Sequence, residues 1–89
     1  MTFYIYMLLC EDGSFYTGYT VNVERRYALH MKGHGARYTR MRKPQKIVYV
    51  EPSPSRIEAI RRERVIKGFS HQQKAILCRE WEDMEQNSS

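Results

Sequence analysis

Eight consecutive residues near the start of the chain, Phe3-Tyr4-Ile5-Tyr6-Met7-Leu8-Leu9-Cys10, are apolar or aromatic and carry no charge. Side chains alternate between the two faces of a strand, so a strand of this composition is covered on both sides. It is expected to be central in its sheet. Glu11-Asp12-Gly13 follows as a turn signal, and Ser14 to Thr20 reads as a second strand, giving a hairpin. The length of the turn decides which residues share a face. A two-residue Asp12-Gly13 loop sets Tyr6 opposite Tyr19 and Tyr16 on the other face. A three-residue loop, with Gly13 in the left-handed conformation of a bulge, sets Tyr6 opposite Gly18 and Tyr16 opposite Leu8. The second register is expected. It brings both tyrosines to one surface and puts a glycine beside Tyr6, where a ligand backbone has room to approach.

Val21 to Lys32 reads as a helix with the stripe Val23, Arg26, Tyr27, His30 and Met31. Two polar residues thus sit in the core-facing stripe, one turn apart, and such an arginine must reach the protein edge or find a partner. Gly33-His34-Gly35 ends this helix, and Ala36 to Met41 is expected to add a short helical turn. Lys46 to Glu51 is a third strand. Ser55 to Glu58 and Ser70 to Gln73 fit capping boxes. The first opens a helix running to Lys67 and stopping at Gly68. The second opens a last helix with Ile76, Leu77, Trp81 and Met84 at helical spacing. The order ββαβαα predicts an α+β domain, with helices flanking a small three-stranded, mainly antiparallel sheet.

With 89 residues the chain suits one small domain over residues 1–85, followed by a frayed tail at 86–89. The expected radius of gyration is roughly 12 Å. No apolar run approaches the ~20 residues of a membrane span. The first strand lacks a basic leader, so no signal peptide is expected. Cys10 and Cys78 make no disulfide framework, which points to a reducing, cytoplasmic setting. The net charge is +5 and unevenly spread. Arg25, Arg26, Lys32, Arg37, Arg40, Arg42, Lys43 and Lys46 face Glu24 as the sole acid between positions 24 and 46, a surplus of +7, while Glu80, Glu82, Asp83 and Glu85 cluster later. A one-sided basic segment suits a polyanionic partner, although a merely solvated face is as good a reading of charge alone.

Phosphodiester hydrolysis needs a group that handles a proton, a cation on the phosphate and a carboxylate for a divalent metal. Tyr6, Tyr16, Arg26, His30 and Glu63 are the candidates. Each also has a plainer reading. Tyrosine is common in strands, and His30 could be a buried histidine bonded to backbone. Glu63, between Ala59, Ile60 and Ile66 on its helix, could pair with an arginine, for which Arg26 is the candidate. Spacing alone favours that pairing over a Mg²⁺ ligand. The three histidines and two cysteines form no zinc pattern, and no phosphate-cradling glycine loop, dinucleotide fingerprint or nucleophile elbow is present.

Taken together these elements resemble the GIY-YIG nuclease family. Tyr4-Ile5-Tyr6 and Tyr16-Thr17-Gly18 match its two triplets, Val23 to His30 its arginine-histidine helix, and Arg62 to Lys67 its glutamate helix. Gly35-Ala36-Arg37-Tyr38-Thr39 is similar to its small single-domain, bacterial-type branch. The resemblance implies an endonuclease dependent on Mg²⁺ or Mn²⁺. In it Tyr6 activates or positions the attacking water, Tyr16 assists, and His30 relays or receives the proton. Arg26 stabilises charge on the phosphate and Glu63 binds the metal. DNA is the expected partner, single-stranded or branched DNA being suited to so thin a domain, with RNA as a lesser option. Arg25, Lys32, Arg37, Arg40, Arg42, Lys43 and Lys46 are expected to hold the backbone weakly and with strong salt dependence. The chain is expected to be a monomer or weak dimer. The alternative is a non-catalytic nucleic-acid-binding module that retains the fold.

Overall fold

In the computed structural model, which describes residues 1–87, the apolar run forms strand β1 (Phe3–Cys10). It is the middle strand of a three-stranded sheet, between β2 (Phe15–Thr20) and β3 (Pro44–Ser53), and both pairings are antiparallel. Ile5, Tyr6, Met7 and Leu8 are all buried, so both faces of β1 are covered as expected. The hairpin adopts the three-residue loop. Gly13 has φ of 83°, its N–H bonds to Cys10 O, and the register sets Tyr6 opposite Gly18 and Leu8 opposite Tyr16.

Helix α1 (Val23–Met31) starts at Asn22, whose side chain accepts from Arg25 N–H, and α2 (Arg37–Met41) is a single short turn. Helix α3 (Arg56–Lys67) is capped by Ser55, which accepts from Glu58 N–H. Helix α4 (His71–Asn87) opens with a reciprocal box: Gln73 N–H donates to Ser70 Oγ, and Ser70 N–H donates to Gln73 Oε1.

The two faces of β1 do different things. Ile5 and Met7 join Tyr49, Ala59 and Ile66 in the hydrophobic core beneath α3, with Leu77, Cys78 and Trp81 of α4 at its margin. Tyr6 turns the other way, toward His30 of α1. On the core side Arg62 of α3 makes a paired ion contact with Glu51 of β3, its Nε 2.9 Å from Oε2, and the Tyr49 hydroxyl donates to the same carboxylate. Helix α3 is thereby locked to the far edge strand. The radius of gyration is 12.5 Å.

Three packing expectations are corrected. Met31, expected in the buried stripe of α1, is 41% exposed, because the chain turns off at Lys32 and Gly33 just beyond it. Ile76 and Met84 of α4 are exposed, since that helix lies on the sheet through Leu77, Cys78 and Trp81 instead. Gln86 and Asn87, expected in a frayed end, continue α4, and the remaining tail residues 88–89 lie outside the described ones.

Candidate active site

The hairpin register delivers Tyr6 and Tyr16 to one face, with ring centroids 6.2 Å apart. Gly18 lies between them for a steric reason. A Cβ at this position would stand 2.8 Å from the Tyr6 hydroxyl and 3.1 Å from the Tyr16 ring. Helix α1 brings His30 in from above, its ring 4.9 Å from that of Tyr16. Gly35 makes the closeness possible, because a Cβ there would come within 2.1 Å of His30 Nδ1.

His30 is 1% exposed and both ring nitrogens are engaged. Nε2 lies 2.8 Å from the Tyr6 hydroxyl and Nδ1 lies 2.7 Å from Thr39 Oγ1, which itself bonds Ala36 O at 2.9 Å. A carbonyl oxygen only accepts, so the Thr39 hydroxyl proton is committed to Ala36 O. The Thr39 oxygen must then accept from Nδ1–H of His30. Nε2 is left as the bare nitrogen, and Tyr6 O–H donates to it. The direction of the whole chain follows from one backbone carbonyl.

Burial dominates the proton affinities here. It raises the Tyr6 phenol well above its ordinary value, helped by the neighbouring Tyr16, while the guanidinium of Arg26 pulls the other way. Burial, with Arg26 adding to it, lowers His30 from 6.5 to about 4. Tyr6 is therefore a protonated phenol and His30 a neutral imidazole at neutral pH. Arg26 is half-buried and is the cation next to the Tyr6 oxygen.

Tyr6, Tyr16, Arg26 and His30 are thus gathered at one place. Glu63 joins them indirectly. The sequence-based pairing of Glu63 with Arg26 does not occur. Instead Glu63 Oε1 lies 3.3 Å from Nζ of Lys67, one turn along the same helix, and its side chain is 14% exposed. Lys67 in turn lines a cavity with Tyr16 and Thr17. Arg26 is on the Tyr6 side of the sheet and is taken up there, whereas Lys67 is in reach without any backbone rearrangement. Among the described residues no three His, Cys, Asp or Glu side chains gather around one point. A lone, shielded carboxylate fits Mg²⁺ or Mn²⁺, which use one or two protein carboxylates and complete their shells with water and phosphate oxygens; it does not fit zinc.

The basic segment divides. Lys32, Arg40 and Lys43 surround one hollow beside His30 and Thr39. Arg25 and Arg37 are exposed on α1 and α2. Lys46 lines a separate hollow beside Phe15 and Trp81. Arg42 is engaged: it ion-pairs with Asp12 at 3.1 Å and lies 4.4 Å above the ring of Tyr38. Tyr38 in turn packs against Tyr16, with centroids 5.9 Å apart. Thr39, Tyr38 and Lys67 were not singled out from the sequence. Thr39 and Tyr38 lie in the Gly35–Thr39 stretch that carried part of the resemblance, which was the available signal for them.

The GIY-YIG catalytic domain model matches residues 2–76. The chain belongs to the GIY-YIG family. Its likeness extends to named relatives over nearly their full length. The UPF0213 protein SH2523 of Staphylococcus haemolyticus is 52% identical over 77 residues, covering 86% of this chain and 94% of that one. The UPF0213 protein HQ_3675A of Haloquadratum walsbyi is 43% identical over 83 residues, covering 93% of each chain. Two solution NMR structures share the fold. The UPF0213 protein BH0048 from Bacillus halodurans has a TM-score of 0.54 at 47% identity, covering 86% of this chain and 82% of that one. The protein EF2693 from E. faecalis has a TM-score of 0.58 at 41% identity, covering 83% and 79%. The expected family and α+β fold are therefore established. No helix among the described residues is long and apolar enough to cross a membrane.

Proposed function

We propose that this GIY-YIG domain is a metal-dependent endonuclease that hydrolyses phosphodiester bonds in DNA, with single-stranded or branched DNA as substrate and the cytoplasm as its setting. The observation that carries the reading is the directed chain Tyr6–His30–Thr39, which ends in a neutral imidazole nitrogen facing a phenol.

The Tyr6 phenol is too weak an acid to work as a standing phenolate. It works as a relay instead. An attacking water donates a proton to the Tyr6 oxygen while Tyr6 passes its own proton to His30 Nε2. The O–H bond of water breaks, the new P–O bond forms, and the proton ends on His30 as an imidazolium still anchored by Nδ1–H to Thr39. Tyr16 packs against both rings and holds the water on the phosphate side. Arg26 sets a fixed guanidinium against the oxygens on which charge grows, where such a group acts most strongly. Glu63 would hold the Mg²⁺ or Mn²⁺, whose contribution is positive charge against the phosphate oxygens and the leaving alkoxide.

Purified protein given Mg²⁺ or Mn²⁺ is expected to nick DNA. Arg26→Ala and Glu63→Ala should each lower the rate by about 10²-fold or more while circular dichroism shows an intact fold. Nicking that survives unchanged in both variants would mean a contaminating nuclease and would remove this reading.

A further inference from the structure

We propose that the cavity enclosed by β2, α2, α3 and α4 is a second backbone-phosphate site, built for a single-stranded nucleic acid and held by Lys67 and Lys74. The proposal rests on the nuclease reading above and adds a place and a strand type to it. The cavity has a volume of about 300 Å³ and is lined by Phe15, Tyr16, Thr17, Tyr38, Lys67 and Lys74. Two ammonium groups from two different helices converge on it, and no carboxylate lines it. Lys74 has no acid within ion-pairing distance among the described residues, and Lys67, although paired with the shielded Glu63, keeps about half of its own side chain open to solvent.

A second observation comes from the wall. Thr17 is 3% exposed, and its Oγ1 is the buried side-chain oxygen left without a hydrogen-bond partner among the described residues. Such a group is normally satisfied in a folded protein, by water or a ligand where no side chain serves. Thr17 also lies on β2, an edge strand whose outer side has no sheet partner. With two ammonium groups and no carboxylate in its lining, the cavity suits an acceptor-rich anion.

The rings name the class of anion. Phe15, Tyr16 and Tyr38 interleave with the lysines, and aromatic rings set among cations are how proteins hold unpaired nucleotides. Tyr16 also touches His30 of the proton chain. An anion in this cavity would therefore be a phosphate flanking the one under attack, on the same strand. The sequence reading placed DNA contacts in the basic segment between positions 24 and 46. Both lysines of this cavity lie outside that segment.

The test uses fluorescence anisotropy of a labelled short oligothymidylate without divalent cations, across a range of salt. Lys74→Ala and Lys67→Ala should each weaken binding, and each should reduce the slope of log affinity against log salt by about 0.7. Lys74→Arg should restore the slope. With the metal present, Lys74→Ala should raise KM with kcat nearly retained. Unchanged slopes in both alanine variants, with wild-type binding and cleavage intact, would overturn the cavity site alone. Equal competition by a duplex of the same sequence would overturn the single-strand assignment. Failure of the wild type to bind the oligonucleotide at low salt would overturn this inference, and the nuclease reading would fall with it only if nicking of branched DNA with Mg²⁺ or Mn²⁺ were absent as well. Lys74 is half-buried at the start of α4 and caps nothing, so its variant keeps the test open if Lys67→Ala disturbs Glu63.

Discussion

Thr39 decides which nitrogen of His30 carries a proton, and it does so without touching the Tyr6 oxygen. Thr39→Val should leave the buried Nδ1–H without an acceptor, at a cost of about 1–3 kcal/mol. Thermal unfolding would read that loss. The ¹⁵N shifts of the ring would show the Nδ1–H tautomer present in the wild type, kept in Thr39→Ser and lost in Thr39→Val. The histidine also gives the fold a pH signature. Its folded-state value of about 4 lies below the ordinary 6.5, so between those limits the unfolded chain binds the proton more tightly. His30 therefore adds stability that is complete above pH 6.5 and lost as pH falls toward 4, on the order of 3 kcal/mol in all. Urea titrations at several pH values should show this slope flattened in His30→Gln. Gly35→Ala should be more damaging than an ordinary loop change, since the new methyl collides with the His30 ring. Strand and helix periods fix which face Tyr6, Tyr16, Arg26 and His30 take, and the resemblance to the GIY-YIG family singled them out as the site. Thr39 could not be placed in this way, because its partner is nine residues away across a turn whose path no periodicity dictates.

At the scale of elements, the hairpin turn is the joint on which the site depends. Gly13 sits at φ 83° with open space around it, so the cost of Gly13→Ala is conformational, about 1–2 kcal/mol. Denaturant titration should show that loss. A turn that relaxed to two residues would turn Tyr16 to the opposite face and away from His30, so activity should fall further than stability does. The hairpin register, the two capping boxes and the Gly68 stop were all legible, because each is written in short-range chemistry. The buried faces of α1 and α4 were read less well. Helical spacing defines a stripe only to within a residue, and where α4 rests on the sheet is settled by Leu77, Cys78 and Trp81 meeting a surface made by other segments. The Lys67 partner of Glu63 was overlooked for a related reason. Charge alone makes Arg26 a mate for Glu63, but Arg26 is held beside Tyr6 and Lys67 takes its place.

At the scale of the whole molecule, the net charge of +5 is distributed over several places rather than one. Lys32, Arg40 and Lys43 flank one hollow, and Lys46 lies by another. Reversing charge at Arg37 and Arg40 together should weaken nucleic-acid binding uniformly across sequences and flatten its salt dependence, as anisotropy titrations would record. The sequence predicted the overall dimension and the layer arrangement, because length and apolar pattern set both. It could not divide the basic residues among surfaces, since that depends on where the chain turns after α2. One consequence runs the full width of the sheet. Arg62 and Glu63 are consecutive on α3 and so point about 100° apart around its axis. Arg62 is clamped to Glu51 on the edge strand opposite the one that bears Tyr16. That clamp works as a hinge pin: it sets the azimuth of the helix, and with it the aim of the Glu63 carboxylate, from the far edge of the sheet.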